Sequence, residues 1–242
     1  MRMTKNVNRE VLIFLHMDDE HPGFIANFLQ HANIQFRIIR SYKKETIPPL
    51  DNSMMGLVFM GGIMSANDEI GWIKDEIKLI GQALEHNVPI LGHCLGGQLI
   101  SKALSETVSK NPEAEIGWHD CYRTKPKIED GWLDGIKDPF TMFHWHYESF
   151  SVPVDAEPLF SSVHCKNQAY SYGNNVLAMQ CHVEMTLPLI SDWINSWKDD
   201  LTIESASQQS YTQISEDLER KVSELNLVAS SLYTRWVSTL TV

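Results

Sequence analysis

Along the first part of the chain, short runs of consecutive apolar residues alternate with longer segments whose apolar side chains recur every three or four positions. The runs at 11–15, 35–39 and 56–60 predict strands, and 23–32 predicts a helix between the first two. Residues 72–86 predict a second helix with Ile73, Ile77, Ile80 and Leu84 on one face, and 89–91 predicts the strand that follows it. Strands that are apolar at every position are buried on both faces. This succession therefore predicts a parallel sheet with helices above and below.

Beyond about residue 110 the pattern changes. Pieces with strand propensity at 118–122, 141–145, 157–161 and 168–172, separated by Gly and Pro, predict a more antiparallel continuation of the sheet, and 176–180 predicts another strand. From Leu187 the spacing is helical: Leu189, Trp193 and Trp197, then, past a polar stretch at 204–213, Ile214, Leu218, Val222, Leu225, Leu232 and Trp236. Such a stripe packs on the chain's own sheet or against a second copy in a homodimer. The chain's own core is the favoured reading, because stripes at helical spacing most often face one.

At 242 residues, one large α/β domain with a helical appendage is expected. A net charge of −11 without a Lys/Arg run argues against nucleic acid as a partner. Cys94, Cys121, Cys165 and Cys181 are widely spaced with no CxxC pair, which suggests neither a zinc site nor a disulfide framework and points to a reducing compartment. No run is long enough for a membrane span, and residues 1–6 lack the apolar core of a secretory signal. A soluble cytoplasmic protein is expected.

The chemistry concentrates in three stretches. Residues 90–98 run from a strand through Gly92 and Cys94 into a helix opened by Gly96 and Gly97, the form of a nucleophile elbow carrying a thiol. The glycines leave room around a side chain held on a sharp turn, and the amino-terminal helix dipole favours the thiolate. At the end of the 176–180 strand, His182 and Glu184 are two residues apart and face one side, as a base and the group that orients it. Gly61 and Gly62 end the 56–60 strand, where backbone N–H groups can approach an oxyanion; Gly62 supplies one donor and Leu95, just after the nucleophile, the other.

Together these stretches make the chain resemble the class I glutamine amidotransferase superfamily, and within it stand-alone members similar to the glutaminase part of GMP synthase. Gly92, Cys94, Gly96 and Gln98 fit the family's elbow, and His182 with Glu184 fits its late dyad. Residues 60–69 followed by Trp72 fit the oxyanion strand, while 115–118 and 144–146 resemble segments beside the glutamine site. The resemblance covers about 11–185. It implies a three-layer α/β fold with a central, mostly parallel, flavodoxin-like sheet. It divides the chain into an amidotransferase-like domain over 8–200 and a carboxyl-terminal helical extension over 201–242, packed on the domain or on a partner.

The implied reaction is attack of Cys94 on the side-chain amide of glutamine, departure of ammonia protonated by His182, and hydrolysis of a γ-glutamyl thioester. Gln98, His146 and the backbone near Gly117 and Trp118 would hold the substrate, with neither metal nor organic cofactor required. The partners implied are glutamine or another γ-glutamyl compound and, where ammonia is passed on, a separate synthetase or acceptor subunit. Three departures bear on the substrate: Val183 and Ile63 stand where family members commonly have Pro, and His146-Tyr147-Glu148 replaces the usual His-Gly-Asp. They motivate hydrolysis of a γ-glutamyl peptide or amide by the same thiol as an alternative. A non-catalytic binding or regulatory module on the scaffold is a third reading.

Overall fold

The apolar run that opens the chain becomes β1 (Glu10–Leu15), buried from Val11 onward and flanked by two parallel strands, β2 (Phe36–Arg40) and β3 (Met54–Phe59). In this computed structural model, which describes residues 9–125 and 131–240, nine strands form one sheet. Residues 1–6 and the expected outer bounds at 8 and 242 lie outside the described residues. Next to β3 lie β4 (Ile90–His93) and then β9 (Val176–Met179), both parallel. The antiparallel strands β8 (Ala169–Tyr172), β7 (Ala156–Ser162), β5 (Val108–Arg123) and β6 (Phe140–Phe150) complete the sheet. Its order is β2-β1-β3-β4-β9-β8-β7-β5-β6.

The antiparallel strands fall where the pieces at 118–122, 141–145, 157–161 and 168–172 were expected, but β5 and β6 run much longer. β5 starts ten residues before the expected 118, and its first half is largely solvent-facing, with Ser109, Lys110, Pro112 and Glu113 exposed. It is held there by pairing with β6 across a register shift between Lys110 and Glu115, the kind of irregularity at which a strand accommodates Pro.

Helices cover both faces. Alternate side chains of β1 divide between two apolar clusters. Val11, Ile13 and Leu15 meet α1 (Gly23–His31), α4 (Leu187–Ser196) and α6 (Leu218–Val237), whereas Leu12 and Phe14 meet α2 (Gly71–Glu85) and α3 (Leu95–Ala103). The carboxyl-terminal stripe of Val222, Leu225, Ala229, Leu232 and Trp236 is buried in the first of these clusters. A short α5 (Tyr211–Ser215) precedes α6, opened by a Ser210–Gln213 capping box. Among the described residues, no helix is long and apolar enough to cross a membrane.

Candidate active site

The carboxyl ends of β1, β3, β4 and β9 meet at one place, where open α/β sheets present their ligand sites. β4 feeds Cys94, whose backbone takes φ +47° and ψ −107° before α3 begins. A non-glycine residue in that region costs about 1–3 kcal/mol and is held there by its surroundings. Here the Cys94 amide donates to Met179 O of β9 at 2.8 Å and the Gly96 amide to Met60 O at 3.0 Å. The neighbouring glycines are sterically required. A Cβ on Gly92 would lie 2.6 Å from the Gly96 carbonyl carbon, and one on Gly96 would lie 2.0 Å from Phe59 O.

His182 and Glu184 follow β9. The His182 amide donates to Phe143 O at 2.8 Å, which fixes the backbone, and its Nδ1–H donates to Glu184 Oε1 at 2.6 Å. Both are buried. Burial works against the imidazolium, but the Glu184 carboxylate and the Cys94 thiol outweigh it and hold the His182 pKa well above its ordinary value. His182 and Cys94 line one cavity, and the sulfur is close enough to act on the imidazole. Glu184 is kept below its usual range against the pull of burial by His93 and His182.

Gly62 lines the same cavity, and a Cβ on it would lie 2.8 Å from Leu95 Cδ2. The two backbone donors expected at an oxyanion are thus on adjacent residues, and neither the Gly62 nor the Leu95 amide donates to a hydrogen bond among the described residues. The cavity encloses about 680 Å³, with Gln98, His146 and Glu148 on its lining and Trp145, Trp193 and Trp197 forming an aromatic wall. Trp193 packs edge-on against the His182 ring at 4.8 Å.

Not every expected residue reaches this place. Gln98 does, although its Nε2 donates to Gln180 Oε1 at 3.1 Å. His146 does, with Nε2 3.0 Å from Glu115 Oε2. Gly117 and Trp118 do not line the cavity. The Trp118 amide donates to Gln209 Oε1 at 2.9 Å and its carbonyl accepts from Gln209 Nε2 at 2.8 Å, so the backbone groups expected to hold substrate are occupied by the chain's own carboxyl-terminal segment. β6, which pairs with β5 through Gly117↔His144, brings its 145–148 stretch, with the expected His146, to the cavity.

Other residues at the site carry no sequence motif. Gln180 Nε2 lies 3.5 Å from Cys94 Sγ. His16, at the end of β1, and Glu20, just beyond, are both buried, and each holds one side of Gly61. A histidine directly after an unbroken apolar strand, at the carboxyl edge of a parallel sheet, was the available signal. Two groups of metal-ligand type occur among the described residues, Glu20/His182/Glu184 and Glu115/His146/Cys165, with donor atoms within 4.8 Å of one another. Each is crossed by a His–carboxylate hydrogen bond.

A family model described as glutamine amidotransferase class-I matches residues 20–190. The glutamine amidotransferase-like protein YfeJ of Salmonella typhimurium is 29% identical over 231 residues, which is 89% of this chain and 97% of the relative. A subunit of the glutamine-hydrolysing GMP synthase of Thermoplasma acidophilum is 27% identical over 173 residues, 66% of this chain and 82% of the relative. Among solved structures, a glutamine amido transferase from Methylobacillus flagellatus superposes with a TM-score of 0.92 at 33% identity, covering 98% of this chain and 96% of that one. A glutamine amidotransferase from Thermotoga maritima does so with a TM-score of 0.84 at 27% identity, covering 95% of this chain and 98% of that one.

Proposed function

Because the chain belongs to the glutamine amidotransferase class-I family, we propose that it hydrolyses the γ-amide of glutamine through a thioester on Cys94. The observation that carries this reading is the convergence on one cavity of Cys94, His182 and the Gly62 backbone, with Glu184 on His182 and the Leu95 side chain packed beside Gly62.

The reaction follows from what each group can do. The Cys94 sulfur adds to the amide carbonyl, and the negative charge that develops on oxygen is met by the Gly62 and Leu95 N–H groups, each worth about 10²–10³ in rate. The His182 imidazolium gives its Nε2 proton to the departing nitrogen, and the C–N bond breaks to leave a γ-glutamyl thioester and ammonia. Imidazole then takes a proton from water, hydroxide adds to the thioester, and glutamate leaves with the sulfur restored. Glu184 keeps Nδ1 protonated and the ring aimed throughout.

A second reading rests on the cavity. The three tryptophans on its lining offer apolar surface that ammonia as a leaving group does not use, which favours a larger γ-glutamyl amide or peptide cleaved by the same thiol. An ammonia-accepting protein on a separate chain is the corresponding extension of the first reading, motivated by the Thermoplasma relative being one part of a synthase by name.

An electrophilic glutamine analogue, followed by peptide mapping, should place the label on Cys94, and Cys94→Ala should abolish glutamate release. Comparing glutamine with a panel of γ-glutamyl amides separates the two readings, since turnover of the larger amides alone favours the second. Labelling elsewhere, or hydrolysis that survives Cys94→Ala, overturns both.

A further inference from the structure

The strand end that presents Gly62 is held by more than its sheet. Two peptide units meet at Gly61. In the first, the Gly61 N–H donates to Glu20 Oε1 at 2.7 Å, while the Met60 carbonyl accepts from the Gly96 amide at 3.0 Å. In the second, the Gly61 carbonyl accepts from His16 Nδ1 at 2.8 Å. That second unit also contains the Gly62 N–H. A trans peptide is planar with C=O and N–H pointing in opposite directions, and the one cis bond among the described residues lies at Asp138–Pro139. Fixing the Gly61 oxygen on His16 therefore fixes the Gly62 N–H pointing away from His16.

His16 is itself built in. Its Nε2 lies 3.0 Å from Glu76 Oε2, Glu76 Oε1 accepts from the Ser41 hydroxyl at 2.5 Å, and Trp72 stacks on the imidazole with ring centroids 5.0 Å apart and planes 6° off parallel. His16 and Glu76 are both fully buried. Burial opposes the imidazolium, but Glu76, Glu20 and the Gly61 carbonyl outweigh it and raise the His16 pKa, the condition in which both nitrogens donate. A buried imidazole, a buried carboxylate and a stacked indole are a costly arrangement to maintain around one backbone oxygen.

We infer that His16 and Glu20 are positioning residues that lock the two peptide units flanking Gly61, so that the Gly62 N–H is aimed into the cavity before any oxyanion forms. The inference rests on the amide-hydrolase reading above. A donor that is aimed in advance lowers the barrier without tightening substrate binding, so its loss acts on kcat and leaves KM.

The test uses the full chain and steady-state hydrolysis of whichever γ-glutamyl amide it turns over. His16→Leu removes the donor to Gly61 O, and His16→Asn restores an N–H near the position of Nδ1. Glu20→Leu and Glu20→Gln make the same comparison on the other side. The leucine variants should lose about 10- to 100-fold in kcat with KM within about twofold, and the amide variants should recover most of it. Alkylation of Cys94 by iodoacetamide, a displacement that forms no oxyanion, should stay within about twofold of wild type in both His16 variants.

Unchanged kcat in folded leucine variants, a rise in KM alone, or alkylation of the His16 variants that falls in step with turnover overturns the inference. Should His16→Leu not fold, the Glu20 pair decides. If wild type and Cys94→Ala are equally inert toward every amide, the underlying reading and the clamp fall together. If wild type is active and the leucine variants match it, the clamp falls alone.

Discussion

At the scale of single residues, the site is an arrangement of buried charges that hold one another in chosen protonation states. Glu20 shows it most directly. Burial and the neighbouring Glu184 carboxylate raise its pKa from an ordinary 4.5 to about 7, against the pull of His16, His182 and the Gly61 amide. Between about 4.5 and 7 the folded chain keeps a proton that the unfolded chain releases, so this group's contribution to stability declines as pH rises across that window and is flat above it. Glu20→Gln still accepts from Gly61 and never ionises. The variant should therefore match wild type near pH 4.5 and gain on it with rising pH, by up to ~3 kcal/mol at pH 8. Urea midpoints at pH 5 and pH 8 check this, and parallel pH dependences for the two proteins would show that Glu20 is not the buried acid. The motif residues Cys94, His182, Glu184 and Gly62 were legible in the sequence because glycine spacing and an HxE pair leave a local signature. His16, Glu20 and Gln180 were not, because their roles depend on which strand ends the topology brings together.

At the scale of elements, legibility followed burial. The parallel strands β1, β3 and β4 are apolar at consecutive positions, and their lengths read to within a residue or two. Half of β5 was missed because that half is exposed and carries no apolar signal. Of the residues expected at the substrate from the resemblance, Gln98 and His146 line the cavity and Gly117 and Trp118 do not. The elbow is the element whose sequence is most constrained by contact. Gly96→Ala would drive a Cβ to 2.0 Å from the Phe59 carbonyl oxygen, and the atoms it meets are the Phe59 carbonyl and Cβ, none of them the far end of a flexible side chain. A loss of more than ~3 kcal/mol, or failure to fold, is expected. Gly81, inside α2, has no atom within 4 Å of the place a methyl group would take, so Gly81→Ala should stabilise by about 0.5–1 kcal/mol. Denaturation midpoints of the two variants should move in opposite directions. A tolerated Gly96→Ala would mean that the elbow relaxes in a way the packing around Phe59 does not allow.

At the scale of the whole molecule, the carboxyl-terminal helix closes the core behind the site. Trp236 and Leu240 rest on Gly56 of β3, where a Cβ would lie 3.0 Å from Trp236 Cζ2 and 2.7 Å from Leu240 Cδ2. The Tyr233 hydroxyl is 3.0 Å from His93 Nε2, which in turn lies 3.8 Å from Glu184 Oε2, and Asn226 Nδ2 donates to Met185 O at 3.0 Å. The helix thus meets the back of the segment that carries Glu184, opposite the cavity. Val222, Leu225, Leu232, Tyr233 and Trp236 are all buried, and at about 1.5–3 kcal/mol for each large apolar side chain their removal costs on the order of 10 kcal/mol, comparable with the whole stability of a domain. A chain ending at residue 217 should therefore fail to give a cooperatively folded soluble protein. Tyr233→Phe, which keeps the packing and removes only the hydroxyl, should fold with a loss of about 1–3 kcal/mol because it leaves a buried His93 nitrogen without that partner. Size-exclusion chromatography and thermal unfolding distinguish the two expectations. A truncated chain that unfolds cooperatively and still takes the glutamine analogue on Cys94 would show that the helix is an appendage and that the sheet sustains the site without it.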